Sequence, residues 1–428
     1  MPSPSSAPSP SNASSAPGAT TEAPATTAAR PSSRSAGPPP GVIPGSGPSG
    51  RPEGALRPRP ELLAVDFDER PFTVAWELTR SCALACRHCR AEAQPKPHPD
   101  ELTTEEARHV IDQIAELNPP VLVMTGGDPL MRRDLFELVE YAVSKGLRTS
   151  VSPTTTALTT KDRLARLQDL GIQMIHISLD GATAETHDAF RGFTGTYQRA
   201  MDTLGYLKEL GIGTQVGTTV TTTNLHELPA MAELMTEHGI RMWSLFFLVP
   251  TGRGRLDEMI TPAQAEQTWE WMCELSETAP FAIRTTAAPQ FRRTMLRRLR
   301  GKHAAQAAQG QDAPGVRMTG AGYQMREAPS GVQTRGVNDG KGFVFIDHLG
   351  GINPSGFLQL PAGNVRTDSL VDVYRNSKLF TELRDPAALK GACGRCEYAD
   401  LCGGSRARAY GVTGDYLADD PLCTIHPA

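Results

Sequence analysis

The sequence has no apolar run approaching the ~18 residues that would cross a bilayer. It also has no surplus of charge: 43 Lys and Arg face 47 Asp and Glu, a net of −4. A protein whose main task was gripping nucleic acid or an anionic membrane would carry a basic excess, so neither partner is expected. No charged start followed by an apolar core marks a secretory signal. The first 50 residues are poor in apolar side chains, with Val42 and Ile43 the only branched ones, among 12 Pro and 12 Ser. Such a segment cannot bury enough surface to offset its ordering entropy, so residues 1–58 are expected to be a disordered tail. Cysteine is scarce as well: eight in 428 residues are no disulfide framework.

What is present is an alternation that begins near residue 72. Short buried-strand patterns lie at Thr73–Leu78, Pro120–Met124, Leu147–Val151, Gln173–Leu179, Thr214–Val220 and Arg241–Val249. Between them fall helical spacings at Glu105–Leu117, Asp134–Ser144, Lys161–Leu170, Tyr197–Leu210 and His226–His238. Continuous apolar strands alternating with helices predict a parallel sheet covered by helices, an α/β fold, and six such units suggest a partial (β/α)6 barrel. Functional side chains are then expected on the loops after each strand. Later the rhythm changes. A Trp-bearing helix is expected at Thr261–Glu277, a basic stretch at Ala288–Lys302, a poorly ordered connection at 303–335, a hairpin around Leu349-Gly350-Gly351 and one helix near Ser369–Arg384. The expected divisions are a tail (1–58), the barrel (59–290), a basic helix with a flexible connection (291–335) and a small C-terminal domain (336–428).

The cysteines fall into two groups. Cys82, Cys86 and Cys89 follow the first strand with spacing C-x3-C-x2-C, and Cys393, Cys396, Cys402 and Cys423 lie near the C-terminus. Two groups of this kind point to two metal sites and a reducing, cytoplasmic setting. A structural zinc wants four closed ligands, so three thiolates on one short loop leave a metal position open; zinc or three plain thiols remain the other readings.

The first group, on the first βα loop, resembles the signature of the radical S-adenosylmethionine (SAM) enzymes. Later loops resemble the same family in order. Gly126-Gly127-Asp128 is similar to the motif that holds the SAM amino group, with Asp where the family carries Glu. Ser152 ends the third strand, and Ser178 and Asp180 end the fourth, where the family meets the SAM ribose and carboxylate. Arg191 lies in a motif whose arginine neutralises that carboxylate, a task suited to a guanidinium fork. Val249 ends the sixth strand, where the family packs around adenine, and His88 takes a position near the same base. The resemblance implies a 4Fe–4S cluster on Cys82, Cys86 and Cys89, SAM as cofactor, and a 5′-deoxyadenosyl radical that takes hydrogen from a substrate.

The C-terminal group resembles the SPASM extension of that family. There a three-Cys run and a distant last Cys hold an auxiliary 4Fe–4S cluster; four thiolates suit zinc equally well. Fuller relatives bind a second, inner cluster at places that here read Val337, Ser355 and Ser405, so one auxiliary cluster is expected. Phrases such as Leu248-Val249-Pro250-Thr251-Gly252 and Cys402-Gly403-Gly404-Ser405-Arg406 are similar to the haem-synthase branch, whose members decarboxylate tetrapyrrole propionates. That branch implies a small-molecule tetrapyrrole substrate and an electron donor such as flavodoxin or ferredoxin. A ribosomal peptide is the alternative substrate, although the polar tail carries no pattern for a winged-helix peptide-binding domain. A non-enzymatic zinc protein is the third reading. The basic face of Ala288–Lys302 reads as solvated, Cys273, Met124 and Met174 as packed core, and His348 and His426 as structural or exposed side chains.

Overall fold

The computed structural model describes residues 65–308, 318–319, 322–323 and 336–425. The expected tail 1–58, most of the connection 303–335 and His426 lie outside the described residues. Among the described residues no helix is long and apolar enough to cross a membrane.

Seven parallel strands build the centre. They are β1 (Thr73–Glu77), β2 (Val121–Thr125), β3 (Thr149–Val151), β4 (Met174–Ser178), β5 (Gly213–Val220), β6 (Met242–Phe247) and β7 (Ala282–Thr286). They lie side by side in chain order, and the sheet stays open, with edges elsewhere. Six of the seven fall on the strands expected from sequence. The seventh, β7, escaped because Arg284 interrupts its apolar pattern; that side chain faces the inner cavity instead of the core.

Helices cover the outer face: α1 (Thr104–Leu117), α2 (Leu135–Ser144), α3 (Lys161–Asp169), α4 (Ala184–Arg191), α5 (Thr196–Leu210), α6 (Leu228–Glu237) and α7 (Pro262–Thr278). The start of α1 is fixed by a capping box between Thr103 and Glu106. Its Val110, Ile111, Ile114 and Leu117 are buried on one face, at the spacing the sequence shows. The core between sheet and helices includes Trp76, Trp243 and Trp269, each fully buried.

Helix α8 (Gln290–Ala308) follows, and then the short pair β8 (Met318–Thr319) and β9 (Gly322–Tyr323) on the β7 side. On the other side β10 (Phe343–Ile346) pairs parallel with β1, from Thr73 against Phe343 to Trp76 against Ile346. The expected hairpin is present as β10 with β11 (Gly351–Asn353), and β12 (Gly363–Asn364) closes that edge. The single helix expected at Ser369–Arg384 is two: α9 (Leu370–Asn376) and α10 (Lys378–Arg384). Ser377 between them is extended, at φ −65° and ψ 140°, a conformation a serine adopts readily as a helix start. Helices α11 (Gly391–Arg395) and α12 (Arg406–Thr413) complete the chain.

Candidate active site

The loop after β1 carries Cys82, Cys86 and Cys89, all unpaired and all facing one cavity inside the sheet. The Leu84 amide points at the Cys82 sulfur (3.4 Å) and the Ala93 amide at the Cys89 sulfur (3.5 Å). Burial pushes the Cys82 thiol up to about 11, a cost that binding to a metal as thiolate reverses.

The loop after β2 lies against this one by close backbone contact. Gly127 and Asp128 donate their amides to Thr79 O (2.8 Å) and Ser81 O (2.7 Å). A Cβ at Gly127 would stand 2.5 Å from Ser81 O, so only glycine permits that approach. Gly126 and Gly127 line the cavity, while the Asp128 carboxylate turns away from it. Fully buried, Asp128 accepts from the Leu130 amide (3.1 Å), the Thr156 hydroxyl (3.0 Å) and the Thr154 amide (3.4 Å). Burial pushes this carboxyl up to about 6 in spite of those bonds.

Further round the wall stand Ser152, Ser178, Arg191 and Val249, each facing the cavity. Arg191 on α4 pairs with Asp180 and aims Nη1 at the Cys86 sulfur (3.8 Å), and its Nε has no partner. Asp180 sits behind the wall, fully buried, accepting the Thr219 amide at 2.7 Å. His88 packs against Phe190, the rings tilted by 39° with centroids 4.4 Å apart. Burial drives its imidazole well below the usual range, so it is neutral.

The cavity measures about 1230 Å3. Six arginines line it: Arg90, Arg148, Arg191, Arg241, Arg284 and Arg292. Among the described residues the acidic lining is Asp339. The apolar wall includes Phe246 and Phe357, whose rings lie 6.2 Å apart. These arginines come from separate strands and loops, so no local sequence pattern groups them. His176 also faces the cavity, with Nδ1 3.3 Å from Ser152 Oγ. Met174, expected in the core, lines the same space, because its strand turns alternate residues inward.

Of the C-terminal cysteines, Cys393 and Cys423 both lie near Cys402. Cys393 lies on α11, with Cys396, Cys402 and Cys423 beyond it; Gly404 donates its amide to Cys402 Sγ at 3.5 Å. The expected solvated face of α8 is not what its inner arginines form. Arg292 and Arg293 are buried, and Arg293 reaches Cys423 Sγ at 3.4 Å. Charge counting cannot distinguish a helix face that meets water from one that meets cysteine side chains. Cys273 is buried as expected, and His348 is buried against Glu77, with Nδ1 2.9 Å from Oε1.

The sequence pattern of the Radical SAM superfamily matches residues 76–235. The AdoMet-dependent heme synthase of Nitratidesulfovibrio vulgaris is 41% identical over 83% of this chain and 92% of its own length. The AdoMet-dependent heme synthase of Methanosarcina barkeri is 37% identical over 85% of this chain and 99% of its own. The chain belongs to the radical SAM superfamily. Within it, the chain lies in the haem-synthase branch and is an enzyme of radical SAM type. Streptococcus suis SuiB bound to S-adenosylmethionine shares the fold, at TM-score 0.60 and 14% identity, over 83% of this chain and 78% of that one.

Radical SAM membership implies a 4Fe–4S cluster and SAM, and the residues fit both. Among the described residues no three Cys, His, Asp or Glu side chains converge on a single ion. The sulfurs of a cubane stand wider apart than the ligands of one ion, so the donor set decides. Three unpaired cysteines share one cavity wall, beside a glycine pair and a buried arginine with a spare N–H. The three residues expected in place of inner-cluster cysteines make bonds of their own. Ser355 Oγ accepts the amides of Phe357 and Leu358, Ser405 Oγ caps α12, and the Val337 carbonyl accepts from Arg292.

Proposed function

We propose that this radical SAM enzyme removes carbon dioxide oxidatively from the propionate side chains of a tetrapyrrole, in haem-type biosynthesis. The observation that carries the reading is the cavity of about 1230 Å3, whose described lining holds six arginines and one aspartate; Glu77 pairs with Arg90 and Asp180 with Arg191, and the other four leave a positive surplus. Such a lining focuses positive potential on a bulky polyanion, and the volume exceeds the ~300–1,000 Å3 of ordinary ligand sites. The relatives named for haem synthesis support the same substrate class.

Cys82, Cys86 and Cys89 would hold the cluster. With SAM it supplies, when bound, the radical that removes hydrogen from an unactivated carbon. The backbone of Gly126 and Gly127, together with Ser152, Ser178, Arg191 and Val249, forms the wall that SAM would meet. Asp128 and Asp180 act from behind it: Asp128 fixes the turn after β2, and Asp180 holds the Arg191 guanidinium toward the cavity. Phe246 and Phe357 offer a macrocycle apolar contact, and Arg284 brings positive charge to the same lining. Cys393, Cys396, Cys402 and Cys423 would hold one auxiliary 4Fe–4S cluster, as electron sink for the oxidation. A flavodoxin- or ferredoxin-type donor in the cytoplasm would supply the initiating electron.

The test is anaerobic incubation with SAM, a reductant and an iron porphyrin bearing propionates, followed by mass spectrometry. Stepwise loss of carbon dioxide and hydrogen from the porphyrin is expected. SAM cleavage with the porphyrin unchanged would sink this reading and favour a peptide substrate.

A further inference from the structure

Two buried guanidinium groups reach the C-terminal sulfurs from different elements. Arg293 on α8 is 1% exposed; its Nη1 donates toward Cys423 Sγ at 3.4 Å, and its Nη2 is held by Glu266. Arg406 at the start of α12 is also 1% exposed, and its Nη2 donates toward Cys393 Sγ at 3.7 Å. The rest of its guanidinium is fixed by carbonyls alone: Gly404 (3.3 Å), Tyr416 (3.0 Å) and Ala418 (2.7 Å). Gly404 makes room for this, since a Cβ there would meet Arg406 Nη2 at 2.5 Å and Cys393 Sγ at 3.3 Å.

A buried cation held only by neutral carbonyls is costly unless an anion lies beside it. The sulfur in hydrogen-bond reach of Arg406 is that of Cys393, and the Asp415 carboxylate acts on the same guanidinium from further off. An electron added to a cluster there deepens its negative charge, and fixed cations with N–H···S bonds stabilise the more negative state more. Arg191 makes a comparable approach to Cys86 at the first site, paired with Asp180 as Arg293 is with Glu266; Arg406 has no carboxylate at contact among the described residues.

We propose that Arg406 and Arg293 set the redox poise of the C-terminal site. They donate charged N–H···S bonds to Cys393 and Cys423, and so hold the reduction potential of a cluster bound there above its value with neutral donors. The site is thereby built to accept an electron. This rests on the reading that the four cysteines hold iron–sulfur, and it deepens the electron-sink role.

The experiment uses the full chain with Cys82, Cys86 and Cys89 all replaced by Ala, reconstituted anaerobically, so that only the auxiliary signal remains. The potential is followed by electron paramagnetic resonance during redox titration, with iron content measured in parallel. Arg406→Gln and Arg293→Gln should shift the potential to more negative values at equal iron content, and Arg406→Lys should shift it less. Glu266→Gln, which removes the anion beside Arg293, should shift it to more positive values. Unchanged potentials in the glutamine variants would overturn the proposal. Should those variants lose their iron, Glu266→Gln decides: a positive shift supports the proposal and no shift overturns it. Zinc in place of iron at this site also overturns it. An unreactive porphyrin with the expected shifts would instead fault the substrate assignment alone.

Discussion

Arg408 and Asp420 meet as a two-point ion pair closed to solvent, Nε to Oδ1 at 2.8 Å and Nη2 to Oδ2 at 2.7 Å. The same carboxylate accepts from Gln290 Nε2 (2.6 Å) and from the amides of Ser405 (2.6 Å) and Leu422 (3.0 Å). One side chain thus joins α8, α12 and the segment leading to Cys423. Replacing Arg408 by Met leaves a buried charge unmatched and should cost about 3–5 kcal/mol, read by chemical denaturation. Burial alone would raise the Asp420 carboxyl, but Arg408 and the hydrogen bonds outweigh it and hold the group below the usual range. The folded-state value is therefore the lower one. The stabilisation is complete above the ordinary carboxylate value near ~4 and is lost as pH falls through the folded-state value. Thermal melts should show that acid-side loss, and Asp420→Asn should flatten it on a lower baseline.

Gly127→Ala should separate folding from chemistry. A methyl group 2.5 Å from Ser81 O and 2.7 Å from Arg80 O forces the cluster loop outward, because both obstacles are backbone. The helices and sheet lie elsewhere, so the circular dichroism should be retained. Iron at the first site and 5′-deoxyadenosine formation should both fall at least tenfold, and wild-type values of both would show that the loop contact is dispensable.

Replacing Cys82, Cys86 and Cys89 together by Ala should abolish 5′-deoxyadenosine formation and leave about one cluster's iron, carried by the C-terminal cysteines. Iron analysis and chromatography of the quenched reaction check both halves of that expectation. Persistent SAM cleavage would mean that another set of residues holds the reactive cluster.

Arg284→Gln should weaken binding of a tetrapropionate porphyrin by about ten- to hundredfold, since a charged hydrogen bond contributes roughly 1.5–3 kcal/mol. Fluorescence titration measures it directly. The tetramethyl ester of the same porphyrin should bind wild type and variant alike; an equal loss for the ester would assign Arg284 to the shape of the cavity and not to its charge.

Six of the seven parallel strands were legible as continuous apolar runs, and four of the helices as 3.6-residue patterns followed by a glycine. Gly171 shows why the ending was readable: at φ +96° it turns the chain where a side chain would be strained. The cysteine loop was legible because its ligands are close in sequence. Direction was not. Nothing in Gly126-Gly127-Asp128 shows that the carboxylate serves its own turn, with bonds to Leu130, Thr154 and Thr156, while the glycines face the cavity. Arg293 read as one charge in a basic run until α8 was seen packed against Cys423. The cavity arginines stand on different strands and loops, from Arg90 to Arg292, and only folding brings them around one cavity.

The pairing of β10 with β1 has a consequence for dissecting the chain. All five β1 residues are buried, and the strand is flanked by β2 on one side and β10 on the other. A fragment ending after α8 would keep the first cysteine loop and the seven parallel strands but lose β10. It would then present β1 as a naked edge, a flat row of unpaired amides and carbonyls between apolar side chains, which recruits other chains by strand addition. Such a fragment should aggregate on expression.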